Sequence, residues 1–412
     1  MNELPLSPLA PAKFPKMFPV SGAALATAGL GIKYCGRDDV LLMGFVPGTT
    51  VAGVFTKSLC PGAPVDWCKA HIKRGTARAL VVNAGNANAF TGATGIATTR
   101  SVARAIAAGL GVAPEDVYQA STGVIGEVLP SAPIVNAAPE LIQAMKETNW
   151  KAAAEAIRTT DTFAKGASTQ IMVGGTLCTI TGIAKGSGMV APDMATVLAH
   201  VVTDYAIAAP VLKHILSDVN GRTFNCITVD GDTSTSDMVL LFATGQADSP
   251  PITKLDDQRL PAFAKALESV MADLARQVVC DGEGASKVIT VNISGAISNE
   301  SADVIARSVA NSPLVKTAMA GADANWGRLV MAVGKAGQPI SRNRLQVSIG
   351  GIMITDGGEV RDDYHESTVQ PHMDGDDINI SVDVGMGGAG KATVWTCDLT
   401  HDYIKINSDY RS

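Results

Sequence analysis

Aromatic residues are scarce in this chain of 412 residues, at 5 % of the total, and charged residues make up only 17 %. Hydrophobic residues reach 46 %, so the shortage of charge reflects a large core and excludes a disordered chain. No run of eighteen apolar residues occurs, which argues against a membrane span. No basic patch or basic tail is present and the formal net charge is −6, which argues against a nucleic-acid partner. The proline-rich opening, MNELPLSPLAPAKFPKMFPV, lacks an apolar signal core and reads as a short extended arm. No CxxC pair occurs. The 7 cysteines stand singly, as expected of small buried side chains in a reducing cytoplasm rather than of a disulfide framework.

What is abundant is glycine (41 residues) and an alternation of strand-like and helix-like segments. At roughly 100–200 residues per domain, the length suggests about two or three domains. The segment ALVVNAGNANAFTG (79–92) reads as a buried strand and a turn. SVARAIAAGLGV (101–112) spaces Val102, Ile106 and Leu110 for a helix, APELIQAMKET and WKAAAEAIRTT read as two more, and IAAPVLKHILSDV as another. TQIMVGGTLCTITGIAKGSG (169–188) reads as strand, turn, strand, and MVLLFATG as a buried strand. In KVITVNIS and INISVDV apolar and polar residues alternate, which implies sheets with two different faces. A layered α/β architecture follows.

Two glycine-rich stretches suggest phosphate sites. GMGGAGKA (385–392) nearly matches the phosphate-binding loop GxxxxGK[ST], but Ala392 replaces the hydroxyl residue and a strand follows where a helix should open. A hairpin turn is expected there instead. KGSG (185–188) also leads into strand-like residues and not into a helix, so a plain turn is the ordinary reading.

The same stretch has a chemical reading. In AKGSGMVAPDMATVLAHVV (184–202) a glycine-spaced loop bends at Pro192 and meets a strand at Thr196. A hydroxyl at a tight bend can attack the preceding carbonyl, and hydrolysis of the resulting ester leaves the threonine as a new N-terminus. Its α-amine, with a pKa of about 7.7–8.0, can then act as base for its own hydroxyl, with no histidine partner. STGVIG (121–126) offers a hydroxyl beside a backbone N–H, a pairing suited to an oxyanion hole, though a turn after a strand reads the same way. TVDGDTSTSDMV (228–239) clusters three aspartates without the spacing of a calcium loop and reads as a hydrogen-bonded polar loop.

GNANAFTG, STGVIG, TTDTF, KGSGMVAPDMAT, ITVDGDTSTSD, DGEGASK, NWGRL and TCDLTHDYIKINSDYRS lie along the chain between Gly85 and Ser412. Together they closely resemble the ornithine acetyltransferase (glutamate N-acetyltransferase) family of arginine biosynthesis. The likeness runs from about residue 16 to the C-terminus. The resemblance implies an α/β sandwich similar to N-terminal-nucleophile hydrolases but with its own connectivity. It implies self-cleavage between Ala195 and Thr196 into fragments 1–195 and 196–412, which stay associated, two copies of each, and both contribute to the active site. It assigns Thr196 as nucleophile and Thr122 and Gly123 to the oxyanion hole. Thr159, Lys185, Thr196, Glu283, Asn407 and Ser412 would line the substrate site.

The implied reaction moves an acetyl group from N-acetylornithine to glutamate, in the cytoplasm, with no metal or organic cofactor. Acetyl-CoA stays open as a second donor, which would make the enzyme bifunctional. Asp193 and Phe90 depart from the family pattern, where Asn and Cys are common; neither replaces a catalytic group, and Asp193 sits beside the scissile bond. Three alternatives stand beside this reading: an amidase or aminopeptidase with the same nucleophile, a nucleotide-binding protein, and a non-catalytic binding protein.

Overall fold

The structure, a computed structural model, describes residues 4–191 and 197–408. Ala195, Thr196 and Asp193 at the expected seam, and Ser412 at the C-terminus, therefore lie outside the described residues. The chain forms two compact units.

The larger unit comprises Pro11–Asn225 and Asp232–Val278. Its elements are, in chain order, β1 (Ala23–Ala28), β2 (Val40–Phe45), β3 (Thr50–Phe55), α1 (Ala63–His71), β4 (Ala79–Asn86), α2 (Gly92–Leu110), β5 (Val117–Val124), α3 (Ser131–Ala144) and α4 (Trp150–Ala156). There follow β6 (Lys165–Val173), β7 (Thr176–Lys185), β8 (Leu198–Thr203), α5 (Ala209–Gly221), β9 (Met238–Ala243) and α6 (Leu260–Cys280), whose last two residues belong to the smaller unit.

These strands build two sheets, ordered β1-β2-β4-β5 and β3-β9-β8-β7-β6. The β4/β5 and β8/β9 pairs are parallel and the others antiparallel. The sheets pack face to face. Leu41, Leu80, Tyr118 and Ala120 of one share a core with Ile183, Leu198, Val202, Leu240 and Phe242 of the other. Side chains of opposite parity (Leu42, Val81, Val117) turn outward onto Val102, Ile106, Ile134 and Leu141 of α2 and α3. On the far side α6 lies against β7, where a Cβ on Gly182 would come within 3.0 Å of the Leu274 side chain. Helix, sheet, sheet, helix is the layered α/β sandwich expected.

The described residues before β1 form no helix or strand, with turns and bends at residues 8–10 and 12–13. The Phe18 N–H donates to Ser168 Oγ (3.1 Å) and Thr181 Oγ1 donates to the Phe18 carbonyl (2.8 Å), which ties the arm to β6 and β7.

The smaller unit gathers Met1–Ala10, Cys226–Gly231 and Val279–Ser412. Its elements are β10 (Val288–Ala296), α7 (Asn299–Ala310), α8 (Pro313–Ala320), α9 (Trp326–Gly334), β11 (Gln346–Ile349), β12 (Ile352–Asp356) and β13 (Glu359–Val360). The rest are α10 (Glu366–Met373), β14 (Asp377–Asp383), β15 (Gly390–Cys397) and α11 (His401–Asn407). One sheet, ordered β13-β12-β11-β14-β10-β15, carries the unit. The period-two pattern holds: Ile289, Val291, Ile293, Ile378, Ile380 and Val382 are buried in one core with Ile305, Val309, Met319 and Leu329 of α7, α8 and α9.

Several local expectations change. GMGGAGKA is not a hairpin, because β10 lies between β14 and β15 and pairs with both. The glycines let the connection cross closely over the end of β10, where a Cβ on Gly388 would meet the Ala296 carbonyl oxygen at 2.0 Å. The rejection of a phosphate loop stands, since β15 follows. Helix α2 starts at Gly92, nine residues before the periodic segment, and ends on left-handed Gly111 (φ 67°). Thr122 and Gly123 lie within β5 and not in a turn after it. Of the cysteines, Cys68, Cys178 and Cys397 are buried, while Cys35 and Cys60 are exposed; all are free thiols.

The two units cut the chain differently from the fragments 1–195 and 196–412. The larger unit takes residues from both sides of the seam because β8, just beyond it, pairs with β7 before it, from Ile180–Thr203 to Lys185–Leu198.

Candidate active site

The larger unit brings three of the separate motifs together at one end of the sheet sandwich. Residues Tyr118 and Ala120 of β5 point into the inter-sheet core, and the alternation carries Thr122 to the same side. Ile183 does the same on β7 and carries Lys185. The two side chains meet: Lys185 Nζ donates to Thr122 Oγ1 at 3.3 Å, and both residues are buried.

Next to Thr122, Gly123 has φ 131°, a region that favours glycine. A Cβ there would fall 2.2 Å from the Gly85 carbonyl carbon in β4. Close approach of β4 and β5 at this point therefore requires glycine.

Asp161 of TTDTF is the organising residue, and the sequence reading missed it. Its buried carboxylate accepts from Lys165 Nζ (2.7 Å), the Gly186 N–H (2.7 Å) and the Thr159 N–H (3.0 Å), and lies 3.8 Å from Lys185 Nζ. One side chain thus fastens TTDTF to KGSG and holds two lysines. Burial pushes the Asp161 carboxyl up, but the Lys165 and Lys185 ammoniums and the hydrogen bonds outweigh it and hold it below the usual carboxylate range. Ser187 Oγ adds a 3.4 Å bond to the Thr160 carbonyl. A signal did exist: Asp161 and Lys165 are four residues apart, and a carboxylate stands among hydroxyl residues. Thr159 is half-buried beside this cluster, and its N–H is the group tied to Asp161.

Beyond KGSG, Met189 adopts a left-handed backbone (φ 55°), uncommon for a side chain of that size, two residues before the described segment stops at Ala191.

In the smaller unit Glu283 and Asn407 come together. Asn407 Nδ2, at the end of α11, donates to Glu283 Oε2 at 2.7 Å and to the Tyr403 carbonyl at 3.0 Å. The DGEGASK loop is bolted to TCDLTHDY. Asp398 accepts from Ser286 N (2.8 Å), Ser286 Oγ (2.5 Å) and Lys287 N (3.0 Å), and Thr400 Oγ1 donates to the Gly284 carbonyl (2.7 Å).

Among the described residues no group of His, Cys, Asp and Glu is placed to hold a metal ion. No described helix is long and apolar enough to cross a membrane.

Residues 24–412 match the model of the ArgJ family. The chain belongs to the ArgJ family. It is 53 % identical to the arginine biosynthesis bifunctional protein ArgJ of Gluconobacter oxydans, over 99 % of this chain and 96 % of that protein. It is also 53 % identical to the protein of the same name from Brucella suis, over 99 % of each. Among solved structures, ArgJ of Bacillus halodurans is 39 % identical and covers 50 % of this chain and 95 % of that one, with a TM-score of 0.48. Ornithine acetyltransferase of Mycobacterium tuberculosis, solved with ornithine, is 33 % identical over 42 % of this chain and 93 % of that one, with a TM-score of 0.38.

As an ArgJ-family member the chain is an acetyltransferase of arginine biosynthesis. The residues that the sequence resemblance names fall into two described groups, Thr122, Gly123, Thr159 and Lys185 in the larger unit, and Glu283 and Asn407 in the smaller.

Proposed function

We propose that this chain cuts itself between Ala195 and Thr196 and then transfers the acetyl group of N-acetylornithine to glutamate through an acetyl ester on Thr196. The observation that supports this most is the buried Thr122–Lys185–Asp161 cluster, which ties together STGVIG, TTDTF and KGSG, the loop that leads toward the seam.

In this reading the freed Thr196 amine takes the proton of its own hydroxyl as the oxygen attacks the acetyl carbonyl. Thr122 Oγ1–H and the Gly123 N–H receive the oxyanion. One such donor is typically worth about 3–4 kcal/mol, or roughly 10²–10³ in rate. The C–N bond breaks, ornithine leaves with the proton from the amine, and the acetyl group stays as an ester. The glutamate amine then attacks that ester and releases N-acetylglutamate, so the kinetics are ping-pong. Lys185 pairs with the α-carboxylate common to both amino acids, Thr159 lines the site beside it, and Glu283 receives the ornithine ammonium with Asn407 holding its carboxylate. Ser412 completes the substrate site in the family pattern. The ladder between β7 and β8 would keep the two fragments together after cleavage; two copies of each would assemble, as the family pattern implies.

The acyl group travels on the protein, so the reaction as written uses no organic cofactor. Acetyl-CoA enters as a second donor if it acylates the same Thr196, which is the bifunctional version of the activity. The cytoplasm is the proposed location. The test is Thr196→Ala. It is expected to remain one polypeptide on a denaturing gel and to form no N-acetylglutamate, whereas the unaltered chain gives two fragments, the second beginning at Thr196. Cleavage of the variant at this bond would remove the nucleophile assignment. Product analysis with and without glutamate separates transfer from plain amide hydrolysis, and assays with N-acetylornithine or acetyl-CoA as donor decide the second activity.

A further inference from the structure

The Lys185–Thr122 hydrogen bond has a direction that chemistry dictates. A protonated lysine has three N–H donors and no acceptor, whereas a threonine hydroxyl has one donor and two acceptor lone pairs. Across the 3.3 Å contact, therefore, Lys185 donates and Thr122 Oγ1 accepts. Thr122 must then place its own proton elsewhere. Asp161 keeps the ammonium in place: its carboxylate lies 3.8 Å from Lys185 Nζ and also binds the Gly186 N–H, the next residue along the chain.

We propose that Lys185 is a positioning residue for the oxyanion hole: held by Asp161, it donates to Thr122 Oγ1 and so turns the Thr122 hydroxyl proton toward the developing oxyanion. The inference rests on the reading of Thr122 as an oxyanion donor. It gives Lys185 a second task beside the substrate carboxylate. Without the lysine, the Thr122 hydroxyl rotates freely and is preorganised for nothing, and preorganisation is what gives an oxyanion hole its effect.

A substrate without a carboxylate separates the two tasks. p-Nitrophenyl acetate acetylates a threonine nucleophile with release of p-nitrophenolate, the hydroxyl proton passing to the threonine amine. It offers nothing for a carboxylate clamp to hold. First-turnover release is measured for Thr122→Val, Lys185→Met, the double variant and Lys185→Arg, per mole of cleaved second fragment, so that incomplete processing does not distort the rates. Thr122→Val and Lys185→Met are each expected to slow acylation by on the order of tenfold to a hundredfold, with the double variant no slower than the slower single one.

Lys185→Arg keeps donors and has no acceptor. It should acylate within about threefold of the unaltered enzyme while the KM for N-acetylornithine shifts. Wild-type acylation by Lys185→Met, or effects that multiply in the double variant, would overturn the inference and leave Lys185 as a carboxylate partner only. If Lys185→Met is not cleaved at all, Lys185→Arg decides, and a loss as large as that of Thr122→Val overturns it. Unchanged acylation by Thr122→Val would instead sink the underlying oxyanion assignment.

Discussion

Asn407 Nδ2 donates to Glu283 Oε2 at 2.7 Å, joining the last helix of the chain to a loop 124 residues earlier in sequence. Glu283 is buried, and its loop is pinned on the other side by Asp398 and Thr400. A carboxylate held this way suits recognition of a cationic side chain. Glu283→Gln is expected to raise the KM for N-acetylornithine by about ten- to a hundredfold, the worth of one charged hydrogen bond. The KM for glutamate, which has no side-chain ammonium, should move much less. Steady-state kinetics with each substrate varied in turn provide the check.

Asp161→Ala removes the carboxylate between two lysines. Lys165 is completely buried, so its ammonium loses an ion pair inside the core. Breaking a buried pair in this way typically costs about 3–5 kcal/mol. A fall of that size in urea-unfolding free energy is expected, with slower self-cleavage because Gly186 loses its anchor. Equilibrium unfolding and the time course of fragment appearance would test the two parts separately.

Gly123→Ala would force a Cβ to within 2.2 Å of the β4 backbone at a φ of 131°. Nothing flexible stands there to move aside. Destabilisation of at least about 2 kcal/mol is expected, together with loss of transfer activity, since β4 and β5 must separate where the oxyanion donors lie. A variant with unchanged melting temperature and activity would contradict this.

His200 gives a pH prediction. It lies wholly buried on β8, between Ile183 of β7 and Leu240 of β9, and neither ring nitrogen has a hydrogen-bond partner among the described residues. Burial pushes its pKa from 6.5 down to about 3. Protonation therefore favours the unfolded chain. The stability contributed by neutral His200 is fully present above pH 6.5 and is lost as pH falls from there toward 3, at up to about 1.4 kcal/mol per pH unit. His200→Leu should remove this slope, leaving a variant about 2 kcal/mol less acid-sensitive between pH 6.5 and 5. Chemical denaturation at the two pH values would show it. An identical slope in both proteins would mean that His200 is not the group responsible.

Much of this architecture was legible locally. Alternation in INISVDV and KVITVNIS marks the buried face of the smaller unit's sheet, and the side chains named from it are the ones that pack under α7 and α9. Segments whose role depends on a distant partner were misread. GMGGAGKA looks like a hairpin because the two strands flanking it are close in sequence, and only the insertion of β10 between them shows otherwise. Thr122-Gly123 looks like a turn because glycine follows a polar residue, yet the parallel pairing with β4 keeps both inside β5. Asp161 was passed over because a carboxylate next to threonines has no distinctive local pattern. Its importance comes from Lys185, which β7 brings to it.

The sequence by itself determined the family, the residue types of the site and the periodicities of most strands and helices, because these depend on the order of side chains along the backbone. The tertiary structure decided which motifs meet. β5 and β7 belong to different sheets, and face-to-face packing of those sheets puts Thr122 against Lys185. A hydrogen bond across 63 residues depends on strand order and sheet packing, which no local pattern encodes.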